Sequence, residues 1–120
     1  MTKYIVVAGS RNYTNYAQAK LFIKESIEMF DNDCQLVFLS GGCRGADGLG
    51  EKFATENNYT IKYFPAEWEK YGKSAGPRRN KQMADIADLV ICFWNGKSRG
   101  TKSMIKFAQQ ANKPIKIKLL

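Results

Sequence analysis

Residues 36–54 read LVFLSGGCRGADGLGEKFA and join a short apolar run to a glycine-rich turn and the start of a helix. Leu36-Val-Phe-Leu39 is continuously apolar, which is typical of a strand buried on both faces of a parallel sheet. Beyond the turn, Ala46, Leu49 and Phe53 recur at helical spacing and predict a helix over residues 46–57. A strand followed directly by a helix is the repeating unit of an α/β fold.

The same alternation extends in both directions along the chain. Two more continuous apolar runs, Tyr4–Ala8 and Leu89–Phe93, predict interior strands, whereas Thr60–Phe64 and Ile115–Leu119 alternate in polarity and predict strands at the sheet margins. Helical periodicity predicts four main helices, over residues 15–30, 46–57, 76–87 and 101–112.

These elements predict a single Rossmann-like, doubly wound parallel sheet of five strands in one domain, residues 1–120. With the third and fifth strands at the margins, the simplest strand order is 3-2-1-4-5. The one long irregular stretch expected is Pro65 to Ala75. Open sheets of this kind bind ligands beyond the carboxyl ends of their strands, where the strand order reverses, so the turns after strands 1, 2 and 4 are the expected site.

Composition excludes several classes of protein. The longest apolar run, Leu89 to Trp94, has six residues, far fewer than the roughly 20 that a membrane-spanning helix needs. The first residues lack the apolar region and cleavage site of a secretory signal, so we expect a cytoplasmic protein that does not contact membranes.

Histidine is absent, and the three cysteines, Cys34, Cys43 and Cys92, are widely spaced. The absence of histidine excludes Ser/His/Asp and Cys/His nucleophiles, and the cysteine spacing matches neither a disulfide framework nor a zinc site. We therefore expect no metal and no cofactor.

The formal net charge is +8, and it is concentrated near the end of the chain. Residues 89–120 hold seven lysines and arginines and no acidic residue. Such a distribution favours phosphorylated small molecules or polyanions, although the lysines at 106, 113, 116 and 118 equally fit a solubilising surface.

The three expected turns share glycines, hydroxyls and basic residues. Glycine lets the backbone approach an anion, and free amides at a helix start donate to phosphate oxygens. None of the turns matches G-x-G-x-x-G or G-x-x-x-x-G-K-[ST], which argues against an ordinary nicotinamide site and against ATP hydrolysis. The candidate ligand-binding residues in these turns are Gly9, Ser10, Arg11, Ser40, Gly41, Gly42, Arg44, Gly45, Asn95, Gly96, Ser98, Gly100 and Thr101.

Six further residues are candidates for ligand binding. Arg78, Arg79 and Asn80 are predicted in the first turn of the third helix, where cations oppose the helix dipole unless an anion is near. Trp68 and Trp94 are candidates for stacking on a base, or simply packing residues. Asp47 either accepts from a ribose hydroxyl or base amine, or merely stabilises the dipole of its helix.

Four ordered motifs carry a resemblance that runs over essentially the whole chain: Gly9-Ser-Arg11, Ser40-Gly-Gly-Cys-Arg-Gly-Ala-Asp47, Trp68 through Gly76-Pro-Arg-Arg-Asn80, and Trp94-Asn-Gly-Lys-Ser-Arg-Gly-Thr101. They resemble the YspA/cpYpsA-related branch of the SLOG superfamily, whose relatives include DprA and the Lonely Guy phosphoribohydrolases. The resemblance implies a Rossmann-like protein, often encoded by phages or mobile elements, that senses or sequesters a nucleotide-derived ligand such as an ADP-ribose-type or cyclic nucleotide signal. It also implies a homodimer or higher homo-oligomer.

The phosphoribohydrolases use an arginine, which Arg79 matches, and a glutamate shortly after the last Gly-Thr. Here Lys102-Ser-Met104 follows Gly100-Thr101, so that glutamate is absent. Asp47 and Glu67 are the carboxylates that remain as candidates for cleaving the glycosidic bond. The absence of the expected glutamate favours a binding protein over an enzyme. Cleavage of nucleoside 5'-monophosphates and binding of single-stranded nucleic acid stay as alternatives.

Overall fold

The computed structural model describes all 120 residues, Met1–Leu120. Its strands are β1 (Thr2–Gly9), β2 (Gln35–Ser40), β3 (Thr60–Tyr63), β4 (Leu89–Trp94) and β5 (Ile115–Leu119). Its helices are α1 (Tyr16–Ile27), α2 (Ala46–Glu56), α3 (Trp68–Tyr71), α4 (Ala75–Ile86) and α5 (Arg99–Gln110), with a 3₁₀ turn at Gly72–Ser74 between α3 and α4.

The five strands form one parallel sheet in the order β3-β2-β1-β4-β5, which confirms the predicted order. Ile5 of β1 pairs with Phe38 of β2 on one side and with Leu89 of β4 on the other. Because the strands are parallel, the turns after β1 and β4 leave the same edge of the sheet, and because the strand order reverses there, these turns lead to helices on opposite faces, α1 and α5.

The core consists of two apolar layers, one on each face of the sheet. Val6 packs with Met83 of α4 and Met104 of α5, whereas Ile5 packs with residues of α1 and α2 on the opposite face. Successive strand residues point to opposite faces, so a continuously apolar strand supplies both layers. None of the helices has the length and apolar character required to cross a bilayer.

The structure corrects the prediction that residues 65–75 are irregular. A four-residue helix and a 3₁₀ turn lie within that stretch, and α4 begins at Ala75, one residue earlier than expected. Arg79 and Asn80 consequently lie in the second turn of α4 rather than the first, so their conflict with the helix dipole is weaker than predicted.

Candidate functional site

A cavity of about 340 Å³ lies where the turns after β1 and β4 meet the start of α2. We call it the first cavity; α4 forms another part of its wall. Ten of the predicted site residues line it: Gly9, Ser10, Arg11, Asp47, Arg79, Asn80, Asn95, Ser98, Gly100 and Thr101.

Backbone hydrogen bonds of Ser10 hold the first turn against its neighbours. The Ser10 amide donates to the carbonyl oxygen of Phe93 in β4 at 2.9 Å, and the Ser10 carbonyl accepts from the Ala46 amide of α2 at 3.2 Å. The turn after β1 is therefore fixed to both elements that flank the cavity.

Two side chains of α4 join the other turns. Arg79 Nη1 donates to the Gly41 carbonyl at 2.8 Å, and Asn80 Nδ2 donates to the Gly100 carbonyl at 3.3 Å. Arg79 Nε also donates to Asn80 Oδ1 at 3.0 Å, which couples the two residues. A Cβ at Gly41 would lie 2.5 Å from Arg79 Nη1, so a glycine here permits the contact.

Buried polar side chains are concentrated at this cavity. Of the six in the whole chain, Ser10, Asp47, Asn80 and Thr101 line it. Ser10 is only 6% exposed, and its hydroxyl is the one buried side-chain polar atom with no hydrogen-bond partner. An unpaired buried hydroxyl costs about 1–3 kcal/mol, and this cost falls in the wall of the cavity.

Asp47 is the acidic residue of the first cavity and is 7% exposed. Its Oδ2 accepts from the Cys43 amide at 3.4 Å. Burial raises the pKa of Asp47 to about 6, although that hydrogen bond and the positive charge of Arg79 act in the opposite direction. The carboxyl group is therefore able to exchange a proton near neutral pH.

The two helices that begin at the cavity start differently. Ser98 caps α5, its Oγ accepting from the Thr101 amide at 3.5 Å, whereas no side chain caps α2. Gly45 precedes α2 with φ +77°, and a Cβ there would lie 2.4 Å from the Ser10 carbonyl oxygen. The glycine thus brings the start of α2, which no side chain caps, and its positive dipole end against the turn after β1.

A second cavity, of about 490 Å³, adjoins the first. The two share Arg11, Cys43 and Arg79. Four more predicted site residues line the second cavity: Gly41, Gly42, Arg44 and Trp68.

The remaining predicted residues lie outside both cavities. Ser40 is buried, and its Oγ donates to Glu51 at 2.7 Å and accepts from the Gly42 amide. Trp94 packs against the core and donates through its indole nitrogen to the Ser98 carbonyl at 3.1 Å, so it is placed as a packing residue rather than a stacking platform. Gly45 and Gly96 shape turns at positive φ.

Two charged candidates face a different part of the surface. Arg78 stacks over the Tyr71 ring at 4.3 Å and, with Glu67, lines a third cavity. Glu67 is therefore poorly placed to replace the missing glutamate of a hydrolase at the first cavity.

The sequence analysis does not include five residues that line the first cavity: Ala8, Asn12, Cys43, Met83 and Met104. Cys43 lies between two residues that were selected, and Met83 is one helical turn beyond Arg79, so helix periodicity could have identified it. No group of three cysteine, aspartate or glutamate side chains is arranged to hold a metal ion.

Comparison with known proteins finds similarity to a protein of known sequence and to solved structures. No family model matches the chain. It is 31% identical over 117 residues to the Gene 61 protein of Mycobacterium phage D29, with 92% of each chain covered.

The solved structures show the fold alone. DNA processing protein A (DprA) from Streptococcus pneumoniae superposes with a TM-score of 0.69 at 19% identity, covering 98% of this chain and 50% of that protein, so the chain spans half the length of DprA. The structural-genomics protein TM1055 superposes with a TM-score of 0.66 at 20% identity, covering 96% and 72% of the two chains. The chain thus shares the Rossmann-like fold of DprA and TM1055, as the resemblance of its motifs implied, and it belongs to the same family as the phage D29 Gene 61 protein.

Proposed function

We propose that this protein binds a small nucleotide-type ligand, senses or sequesters it, and holds a phosphate of that ligand in the first cavity. ADP-ribose-type and cyclic nucleotide signals belong to this class. The observation that carries the proposal is the Ser10 hydroxyl, buried beside the cavity with no partner inside the protein. A phosphate oxygen is an acceptor that would satisfy it.

Charge around the cavity supports an anionic ligand. The single ion pair of the protein, Lys81 with Asp85, lies on the exposed surface of α4, so neither Arg11 nor Arg79 has a carboxylate within pairing distance. The uncapped start of α2 adds amides and a positive dipole end, which together favour phosphate.

Asp47 supports a nucleoside attached to that phosphate. A buried carboxylate accepts hydrogen bonds from ribose hydroxyls or an exocyclic base amine, which are donors that inorganic phosphate lacks. The proposal therefore predicts tighter binding of nucleotides than of phosphate alone.

Isothermal titration calorimetry tests this function with nucleoside monophosphates, ADP-ribose, cyclic dinucleotides and inorganic phosphate. Ser10→Ala removes one hydrogen bond to a charged group, so we expect affinity to fall about ten- to a hundredfold. Since the hydroxyl is unpaired without ligand, the free energy of unfolding of this variant should not decrease.

Ser26→Ala is the matched control. Ser26 is equally buried but lies within α1, where its Oγ donates to the Phe22 carbonyl at 2.7 Å. It should leave nucleotide affinity unchanged. Absence of binding heat for every ligand, or equal affinities of the two serine variants, would contradict the proposed function.

Cleavage of nucleoside 5'-monophosphates is a second candidate, which the properties of Asp47 favour. Its carboxyl group lies beside Arg79 in the cavity wall, and its pKa is raised to about 6, near the range that a general acid or base requires. Incubating AMP with concentrated protein and separating free adenine by chromatography tests this activity. Release that Asp47→Asn abolishes would support an enzyme, and absence of adenine would contradict it.

Nucleic-acid binding has different support: the basic residues of 89–120, and the printed name of the structural neighbour, a DNA processing protein. Its defining property is a steep dependence of affinity on salt.

A further inference from the structure

The second cavity lies directly beside the first. Arg11, Cys43 and Arg79 line both, so these residues form a wall that the two cavities share. Their volumes, about 340 and 490 Å³, lie individually toward the lower part of the range for small-molecule sites, which is about 300–1,000 Å³. Together they offer room for a ligand with two halves.

Trp68 gives the second cavity an exposed aromatic surface. The indole side chain begins α3 and is 55% exposed, with no hydrogen bond from its ring nitrogen. One rim carbon, Cη2, lies 3.4 Å from where a Cβ on Gly76 would be, so the ring rests close to the start of α4. An exposed indole beside basic groups is the combination on which nucleobases stack.

The charges of this region are also unpaired. Arg44 is exposed, and neither it nor the shared Arg11 and Arg79 forms an ion pair. No acidic side chain lines the second cavity. Arg79 uses three of its five N–H donors, on Gly41, Asn80 and Cys43, which leaves two for a ligand at the shared wall.

We propose that the two cavities form one bipartite site for a dinucleotide, in which the second cavity stacks the base of a second nucleoside on Trp68 and the shared arginines hold the connecting phosphates. This inference rests on the proposed function, because the first cavity holds the other nucleotide half. It deepens that function by assigning a ligand with two bases rather than one.

Tryptophan fluorescence reports on the second cavity directly. The chain has two tryptophans, so the difference in emission between the wild-type protein and Trp68→Phe isolates the signal of Trp68 and keeps the hydrogen bond from Trp94 to Ser98 intact. Diadenosine diphosphate should quench the emission of Trp68, whereas AMP should bind the first cavity without quenching. Calorimetry on the wild-type protein should show the dinucleotide binding about tenfold more tightly than AMP, since one stacked base contributes about 1–3 kcal/mol.

Substitution of Trp68 provides the matched test. Trp68→Ala should remove the advantage of the dinucleotide and leave AMP affinity unchanged, while Trp68→Phe should retain part of that advantage because a ring remains. The exposed position makes either variant compatible with folding, which circular dichroism checks.

The possible failures are distinguishable. Equal affinities for AMP and diadenosine diphosphate, with unchanged Trp68 emission, would overturn the bipartite site and leave the proposed function intact. Loss of AMP affinity in Trp68→Ala would overturn it as well, because the single base would then reach Trp68. No binding of either ligand would overturn both proposals. Tighter, strongly salt-dependent binding of a single-stranded tetranucleotide would reassign the stacked base to nucleic acid and overturn the free dinucleotide.

Discussion

Ser10 and Asp47 are both buried in the first cavity, but they differ in how their polar atoms are satisfied. Asp47 accepts from the Cys43 amide, whereas the Ser10 hydroxyl has no partner within the protein. Both residues destabilise the ligand-free protein: Asp47 because its charge is removed from water, and Ser10 because its hydroxyl loses a hydrogen bond to water. Both costs fall at the cavity, where a ligand can offset them.

The raised pKa of Asp47 predicts a pH dependence of stability. Its pKa is 3.8 ordinarily and about 6 in the folded protein, chiefly because of burial, so between these values the folded state holds a proton that the unfolded state releases. The contribution of this group is fully present below pH 4 and is lost as pH rises through 6. Asp47→Asn removes that loss, so the difference in free energy of unfolding between this variant and the wild-type protein should be about 2 kcal/mol more favourable to the variant at pH 7 than at pH 4.

Urea unfolding of the wild-type and variant proteins at both pH values measures this difference. Effects of the other carboxyl groups cancel because both proteins share them. Asp85→Asn is the control: Asp85 is exposed and pairs with Lys81, so its removal should leave the free energy of unfolding nearly unchanged. A constant difference between the wild-type protein and Asp47→Asn at the two pH values would contradict the assigned pKa.

Sequence reasoning was most successful for residues in turns. Glycine, hydroxyl and arginine residues directly after a strand were selected because a parallel sheet brings such turns together. For Trp94 the sequence leaves stacking and packing open, and the structure packs its side chain against the core, whereas Glu67 lines a third cavity. Side-chain direction there depends on contacts with distant elements, which no local pattern in the sequence records.

Among the elements, α5 and α1 both have side-chain caps. Ser98 caps α5 at the first cavity, and Asn15 caps α1 away from it, its Oδ1 accepting from the Gln18 amide at 3.1 Å. Replacing either residue with alanine should lower the free energy of unfolding by about 1 kcal/mol. Only Ser98→Ala should also weaken nucleotide binding, because it loosens the turn that carries Gly100 and Thr101 into the cavity.

Thermal unfolding and calorimetry on this pair separate general stability from site geometry. Equal losses of affinity in Ser98→Ala and Asn15→Ala would mean that the start of α5 plays no specific part in binding.

Two glycine-to-alanine substitutions near the start of α2 should have opposite effects on stability. A Cβ at Gly45 would meet the backbone of Ser10 and Arg11 within 2.5 Å, and the positive φ disfavours any other residue, so Gly45→Ala should destabilise the protein by more than about 2 kcal/mol. Gly48 lies in the same helix with open space around its Cβ position. Gly48→Ala should raise stability by about 0.5–1 kcal/mol through helix propensity.

Chemical denaturation of these two variants gives the values. Similar effects of both substitutions would show that α2 does not press against the turn after β1 as described.

The elements themselves differ in how well the sequence indicates them. Apolar runs predict the three interior strands, alternating polarity predicts the two edge strands, and periodicity predicts the four long helices, all with ends within a few residues. α3 was missed because its four residues are too short to show a helical period. The start of α5 was placed two residues late because Ser98, its cap, lies in a turn rich in other turn-forming residues.

At the scale of the whole molecule, the sheet order followed from polarity alone. β3 and β5 alternate in polarity because an edge strand has one neighbour and more solvent, and the structure places both at the margins. The site between β1 and β4 then follows from the reversal of strand order. The wall that the two cavities share could not be predicted, because it depends on how Arg79 of α4 reaches across to Gly41.

The net charge of +8 is a property of the whole molecule, and its effect on binding separates a cavity ligand from nucleic acid. A nucleotide held in the first cavity neutralises only a few charges, so between 50 and 200 mM salt its affinity should fall by no more than about tenfold. A nucleic-acid strand that is bound through six or more of its phosphates loses about a thousandfold in affinity over the same range.

Lys106 and Lys116, both exposed in the basic region, should be dispensable for nucleotide binding. One double variant carries Lys106→Gln and Lys116→Gln. The control double variant carries Lys20→Gln and Lys24→Gln, which remove the same charge from α1. Calorimetry should give the two variants the same nucleotide affinity at each salt concentration. A selective, salt-dependent loss in the first pair would instead identify the basic residues as a binding surface for a polyanion, since only a long ligand extends to them from the cavity.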